Sequence, residues 1–327
     1  MLEHGGRLLR AARAYGIAPA DWLDLSTGIS PFAWPVPSIP AGAWARLPDD
    51  DDGLLEVAQA YYAAPQLLPV AGSQAAIQAL PLLRPTSRVG VISPGYNEHA
   101  HAWRRAGHQV SELGAEELLA RIDDLDVMVL IHPNNPGGER FDQATLLACH
   151  ARLVARGGWL IVDEAFMDAT PEDSLCSHSL HQGLIVLRSV GKFFGMAGAR
   201  AGFICAAAGL LAAIRERLGP WPISGPARYA LRHALADVAW HAQARTRLQA
   251  CSARLAQLLS KHDVAPDAGC AFFQWWRNDR AGEVHRALAT QGILTRLFDH
   301  PHSIRFGLPG NDAAFVRLDA ALARCAR

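Results

Sequence analysis

Five short apolar runs in the middle of the chain lack a polar face: Val89–Ser93 (VGVIS), Val127–Ile131 (VMVLI), Trp159–Val162 (WLIV), Leu184–Leu187 (LIVL) and Ala201–Cys205 (AGFIC). A strand wetted on one side alternates apolar with polar residues, so runs without that alternation belong in a largely parallel sheet covered by helices on both faces. Intervening stretches such as Gln143–Arg156 have helical periodicity. The expected fold class is α/β. After Pro220–Pro226 the pattern changes: Ala227–His262 is a long Ala/Leu/Arg stretch compatible with helix, followed by CAFFQWW, a helical piece and TRLFDHPHSIRFGLP, together a smaller α+β domain. Upstream, Ser30–Pro48 is proline-rich and reads as extended.

With 327 residues, half of them hydrophobic, the chain can bury a large core. Its 31 basic and 31 acidic side chains cancel. That removes the electrostatic footprint of a nucleic-acid binder or a membrane-surface protein and leaves small molecules as the expected partners. The longest apolar run, Ala201–Ile214, falls short of the roughly 20 residues of a membrane span, and the amino terminus shows no secretion signal. Six scattered cysteines without a C-x-x-C read as reduced thiols of a cytoplasmic protein.

In an open α/β sheet the ligand sits at the carboxyl ends of the strands. The residues that follow these runs are polar: Tyr96-Asn97-Glu98, His132-Pro133-Asn134-Asn135, Asp163-Glu164 and Arg188-Ser189-Val190-Gly191-Lys192. Earlier, Gly72-Ser73-Gln74 opens a helical stretch and offers backbone N–H groups to an anion. Lys192 stands out further, because the only other lysine is Lys261 against 29 arginines. A guanidinium is too basic to act as a neutral amine nucleophile, so Lys192 sits where arginine cannot serve.

Singly, these residues have plain readings: Gly72–Gln74 as an N-cap, Asp163 as an ion-pair partner, Arg200 as a surface cation. Together they match one ligand, a phosphorylated aromatic aldehyde with a ring nitrogen. The ordered motifs G-S-Q, P-G-Y, P-N-N-P-G-G, V-D-E-A-F, S-V-G-K and the following Arg200 resemble the fold-type-I pyridoxal-phosphate enzymes, the aspartate aminotransferase superfamily, from about Leu47 to Pro309. The resemblance implies pyridoxal 5'-phosphate as cofactor and an aspartate aminotransferase-like fold. It implies an amino-terminal arm over 1–45, a large cofactor-binding domain over 46–217, a small domain over 218–327, and a homodimer. By the same resemblance Lys192 is the Schiff-base lysine, Asp163 the partner of the pyridine nitrogen, Tyr96 the stacking ring and Asn135 the donor to the cofactor phenolate oxygen. Gly72, Ser73, Gln74, Ser189 and Arg200 resemble the phosphate-binding set, and Arg305 the arginine that grips a substrate α-carboxylate. Two positions depart from the pattern: Phe166 and Leu47 stand where relatives commonly carry tyrosine. Tyr61 or Tyr62 is either a substitute for the second or core.

His4-Gly5-Gly6 and Leu23-Asp24-Leu25-Ser26-Thr27-Gly28-Ile29-Ser30-Pro31 resemble the amino-terminal pattern of the cobalamin-pathway L-threonine-O-3-phosphate decarboxylases, near relatives of histidinol-phosphate aminotransferase. The resemblance implies a small phosphorylated amino acid as substrate, approached by His4 and Gly5, with Asn135, Arg296 and Arg305 as further substrate contacts. Decarboxylation places the carboxylate perpendicular to the cofactor plane; an aminotransferase places the α-hydrogen there. An aminotransferase acting on histidinol phosphate and a non-catalytic binding protein on the same fold are the alternatives. No metal is expected: His99-x-His101, His178-x-x-His181 and His300-x-His302 lie in no metal-site pattern, and Asp49–Asp52 reads as a solvated loop.

Overall fold

Along Val127–Ile131 no side chain is more than 2 % exposed, so this strand is covered on both faces. Val127 and Val129 join Val91, Ile161, Ile185, Leu187 and Ile204 in one apolar layer. Helices Ser73–Ala79, Glu98–Arg105 and Ala208–Leu218 close it. Met128, Leu130, Leu160 and Val162, pointing the other way, are buried as deeply. Each such side chain contributes roughly 1.5–3 kcal/mol relative to exposure.

The computed structural model describes residues 5–325 and divides the chain into two units. The larger comprises Ala33–Asn134 and Glu139–Gln243. Its seven-stranded sheet has the order Leu68–Val70, Gly202–Cys205, Leu184–Ser189, Trp159–Asp163, Val127–Ile131, Arg88–Ile92, Gln109–Leu113. The last five run parallel, and Gly202–Cys205 is antiparallel to both its neighbours. All five apolar runs are strands of this sheet. The two edge strands escape the apolar pattern because one is three residues long with a central proline and the other carries Gln, Ser and Glu.

Ala227–His262 is not one helix but parts of two, Gly225–Ala236 and Val238–Lys261. Asp237 leaves helical geometry (φ −84°, ψ 74°). Its carboxylate accepts the Trp240 N–H and the Trp34 indole N–H, both at 3.1 Å. Capping by a short carboxylate thus overrides a continuous helical pattern. The units part at Phe32/Ala33 and Gln243/Ala244, with Asn135–Gly138 joining the smaller one. Gly225–Ala236 belongs with the larger unit because its buried Arg228 holds Asp52 at 2.7 and 2.8 Å. That ion pair also gives one member of the acidic run Asp49–Asp52 a structural partner. Within the proline-rich stretch a short helix forms at Ala41–Ala45.

The smaller unit is drawn from Met1–Phe32, Asn135–Gly138 and Ala244–Arg327. Its antiparallel sheet has the order Arg296–Phe298, Ser303–Gly307, Phe273–Arg277, Ala268–Cys270. Leu23–Asp24 pairs in parallel with Ile293–Leu294. Helix Leu8–Tyr15 contributes Ala12 to a small core with Trp22, Ala289 and Leu294. Among the described residues no helix is long and apolar enough to cross a membrane.

Candidate active site

The polar residues of the larger unit gather at the carboxyl ends of its parallel strands, as the chain order requires. Asp163 closes Trp159–Asp163 and is 3 % exposed. Its Oδ2 lies 2.9 Å from His99 Nε2, and its Oδ1 accepts the Ala165 N–H at 3.1 Å. His99 is equally buried, on helix Glu98–Arg105. A histidine that donates to this carboxylate fixes its orientation.

The next strand over, Leu184–Ser189, delivers Lys192. Asp163 stands opposite Leu187 in the register, and the short helix Val190–Phe193 carries the lysine immediately beyond the buried Ser189. Lys192 Nζ lies 5.6 Å from the centre of the Phe166 ring. At that position a phenylalanine presents a π face and no hydroxyl.

Gly72 precedes helix Ser73–Ala79 with φ 71°, ψ 157°, a conformation that favours glycine. A Cβ there would meet Arg200 Nη2 at 3.1 Å, so the guanidinium lies over the glycine. Gly202 backs the same turn: its Cβ would come within 2.8 Å of the Ser73 nitrogen. Backbone N–H groups and a guanidinium meeting in one turn suit a phosphate. Tyr96 donates its hydroxyl to Gln74 Oε1 at 3.1 Å, and Gln74 donates to Glu98 at 2.9 Å. Burial, then the charges of Glu98 and Asp163, push the Tyr96 phenol up to about 12. Tyr96 therefore offers a neutral ring rather than a base.

Behind this set lies a dry ion network. Arg188, Glu164 and Asp168 are all at most 2 % exposed. Arg188 donates to Glu164 at 2.6 Å and to Asp168 at 2.9 Å. Tyr61 donates to Asp168 at 2.9 Å, and the Tyr62 ring lies under the guanidinium at 4.6 Å. Tyr61 is thus committed to Asp168 and Tyr62 to Arg188. Leu47 is 69 % exposed.

In the smaller unit Arg305 is buried on strand Ser303–Gly307. Its Nη1 donates to Asn135 Oδ1 and its Nη2 to the Ser26 carbonyl at 2.8 Å, and its buried Nε has no partner. No carboxylate bonds it among the described residues. Burial and the facing Arg296, its partner in the strand register, bring its pKa down to about 10. Asp24 offsets part of that lowering through space without a hydrogen bond to the guanidinium. Gly5 reaches the same place, for a Cβ on it would strike the Ser26 carbonyl at 2.2 Å. The Gly6 N–H donates to Ser26 Oγ at 2.8 Å. His4 lies outside the described residues.

The sequence-derived set therefore falls into two groups, one in each unit: Gly72, Ser73, Gln74, Tyr96, Asp163, Ser189, Lys192 and Arg200, and Gly5, Asn135, Arg296 and Arg305. His99 is absent from that set. Tyr96 precedes helix Glu98–Arg105, so no local spacing in the sequence singles out His99. Among the described residues no three histidines, cysteines or acids are grouped to hold a metal ion.

Residues 54–320 match the family described as Aminotransferase class I and II. A threonine-phosphate decarboxylase from Pseudomonas aeruginosa is 56 % identical over 322 residues, covering 98 % of this chain and 97 % of that protein. Another of that name from Sinorhizobium sp. is 41 % identical, covering 99 % and 98 %. The histidinol-phosphate aminotransferase from Sinorhizobium meliloti, solved in complex with pyridoxal-5'-phosphate, superposes with a TM-score of 0.86 at 21 % identity, over 100 % of this chain and 95 % of that one, and so shares the fold. With a matching family pattern over most of its length and near-full-length relatives, the chain belongs to the class I and II aminotransferases.

Proposed function

We propose that the protein removes the carboxylate of L-threonine O-3-phosphate as carbon dioxide, with pyridoxal phosphate as cofactor, leaving 1-amino-2-propanol phosphate. The observation that carries this reading is the 56 % identity to a threonine-phosphate decarboxylase along nearly the whole chain. The more remote aminotransferases share the fold at far lower identity.

The residues present fit the cofactor. The Gly72–Ser73 turn under Arg200 suits its phosphate, the buried Asp163 its ring nitrogen, and Lys192 its aldehyde. Bound there, pyridoxal phosphate supplies a carbonyl for the substrate amine and a ring that accepts the electron pair left by the departing carboxylate. Lys192 would hold the cofactor through its amine, and the same amine would carry a proton. Asp163, oriented by His99, keeps a proton on the ring nitrogen. Tyr96, neutral at physiological pH, packs on the ring, and Ser189 adds a hydroxyl to the phosphate set. Phe166 has no hydroxyl with which to bond the phenolate oxygen. Arg305 fixes the carboxylate in a set direction through its planar fork. The bond from Cα to the carboxylate carbon breaks, carbon dioxide leaves, and a proton takes the place of the lost group on Cα.

The same reading places the product in the cobalamin nucleotide loop and the protein in the cytoplasm as a homodimer. Scattered cysteines and the superfamily resemblance support it. The test is carbon dioxide release from L-threonine O-3-phosphate without a keto-acid acceptor. Turnover of histidinol phosphate that requires such an acceptor, with no carbon dioxide, would replace this function with transamination.

A further inference from the structure

We infer that Glu98 is a positioning residue for the Tyr96 ring: acting through Gln74, it sets the direction of the Tyr96 hydrogen bond and so, given the packing role proposed for Tyr96 above, the tilt at which that ring meets the cofactor. Three side chains at two helix starts make the relay. Tyr96 Oη donates to Gln74 Oε1 at 3.1 Å, and Gln74 Nε2 donates to Glu98 Oε2 at 2.9 Å. Gln74 stands in the first turn of helix Ser73–Ala79, whereas Glu98 opens helix Glu98–Arg105 and Tyr96 lies two residues before it.

An amide has one accepting end and one donating end of nearly the same shape, so its partners decide which way it faces. A carboxylate only accepts. Glu98 therefore draws the Gln74 amide nitrogen to itself and turns the Gln74 carbonyl to Tyr96, which leaves the phenol to donate. Burial, then the Glu98 charge, raises the phenol's pKa to about 12, so the proton that this bond requires is present. The Gln74 side chain is engaged at both ends, which leaves its backbone N–H for the phosphate turn proposed above.

The ring is then fixed at two places. Its hydroxyl is tied to Gln74, and the His99 ring meets it edge to face, with centroids 6.2 Å apart and planes at 82°. His99 is itself held by Asp163 at 2.9 Å. Tyr96 is only half-buried, so packing alone leaves its ring free to tilt, and the bond to Gln74 removes that freedom. An acidic residue in a first helical turn also stabilises its helix through the dipole. That second effect does not pass through the Tyr96 hydroxyl, and a double-variant cycle separates the two.

The test is the set Glu98→Ala, Tyr96→Phe and the two combined, each as purified holoenzyme. Three quantities are read: the rate of pyridoxal phosphate loss on dialysis, circular dichroism in the cofactor absorption band, and the unfolding temperature. Glu98→Ala should lose the cofactor about 3- to 10-fold faster than the parent protein, with a smaller dichroic band, as the loss of one orienting hydrogen bond implies. On the Tyr96→Phe background, which lacks the hydroxyl, the same substitution should change the release rate by no more than about twofold and leave the band alone. Equal factors on the two backgrounds, or no change on the parent, overturn the relay. A lower unfolding temperature without either cofactor effect overturns it as well, in favour of helix stability. If the parent protein takes up no pyridoxal phosphate, the function proposed above fails and the relay with it; losses that multiply in a parent that binds the cofactor sink the relay alone.

Discussion

Two buried arginines, one in each unit, show how differently the same side chain can be used. Arg188 is enclosed by two carboxylates and an aromatic face. Burial alone would lower its pKa, but Asp168, Cys176 and Glu164 outweigh burial and raise it well above its ordinary value. Arg305 is as buried, yet its partners are an amide oxygen and a backbone carbonyl, and its pKa drops to about 10. A charge satisfied inside the protein stabilises the scaffold behind Asp163 and Lys192. A charge with no hydrogen-bonded carboxylate among the described residues, only the more distant Asp24, is the one the proposed function uses to hold a substrate carboxylate.

The contrast breaks first at Arg188. Arg188→Met strands two buried carboxylates and should cost ~3–5 kcal/mol of folding stability, read by chemical denaturation. Adding Glu164→Gln and Asp168→Asn to it should restore most of that loss. Arg305→Ala should act the other way: stability held or raised, cofactor absorption unchanged, and kcat/KM for the phosphorylated amino acid down by roughly two to three orders of magnitude. Equal loss of cofactor and substrate binding would show that Arg305 is scaffold after all.

His132 gives a third outcome, a buried group that avoids charge altogether. Burial and then the Arg140 charge lower its pKa from 6.5 to about 4. Its neutral form therefore adds stability above pH 6.5 that is lost as pH falls towards 4, ~3 kcal/mol at most. His132→Asn, which keeps an acceptor for the Phe141 N–H, should flatten that part of the stability–pH curve. The smallest effect belongs to Arg88→Gln, which breaks an exposed pair with Asp126. Its Tm shift should be the least of the series and vanish in high salt.

The central strands and the chemistry at their ends were readable because both follow from local pattern: apolar runs without a wet face, then polar residues where a parallel sheet opens. Lys192 was readable from composition, in a chain that otherwise uses arginine. Other features depend on residues far apart in sequence. Arg188 looks like the polar end of LIVLRS until Glu164, Asp168 and Tyr61 arrive from elsewhere. His99 stands in a histidine-rich stretch and gains meaning only from Asp163, 64 positions away. Asp237 breaks a helical pattern through its own cap.

The most direct measurement is the reaction run in deuterated water on L-threonine O-3-phosphate with no keto acid present. Carbon dioxide should appear in step with 1-amino-2-propanol phosphate carrying one deuteron at the carbon that bore the carboxylate. Exchange of the α-hydrogen with the carboxylate retained, or a keto-acid product formed only when an acceptor is added, would contradict decarboxylation as the activity of this protein.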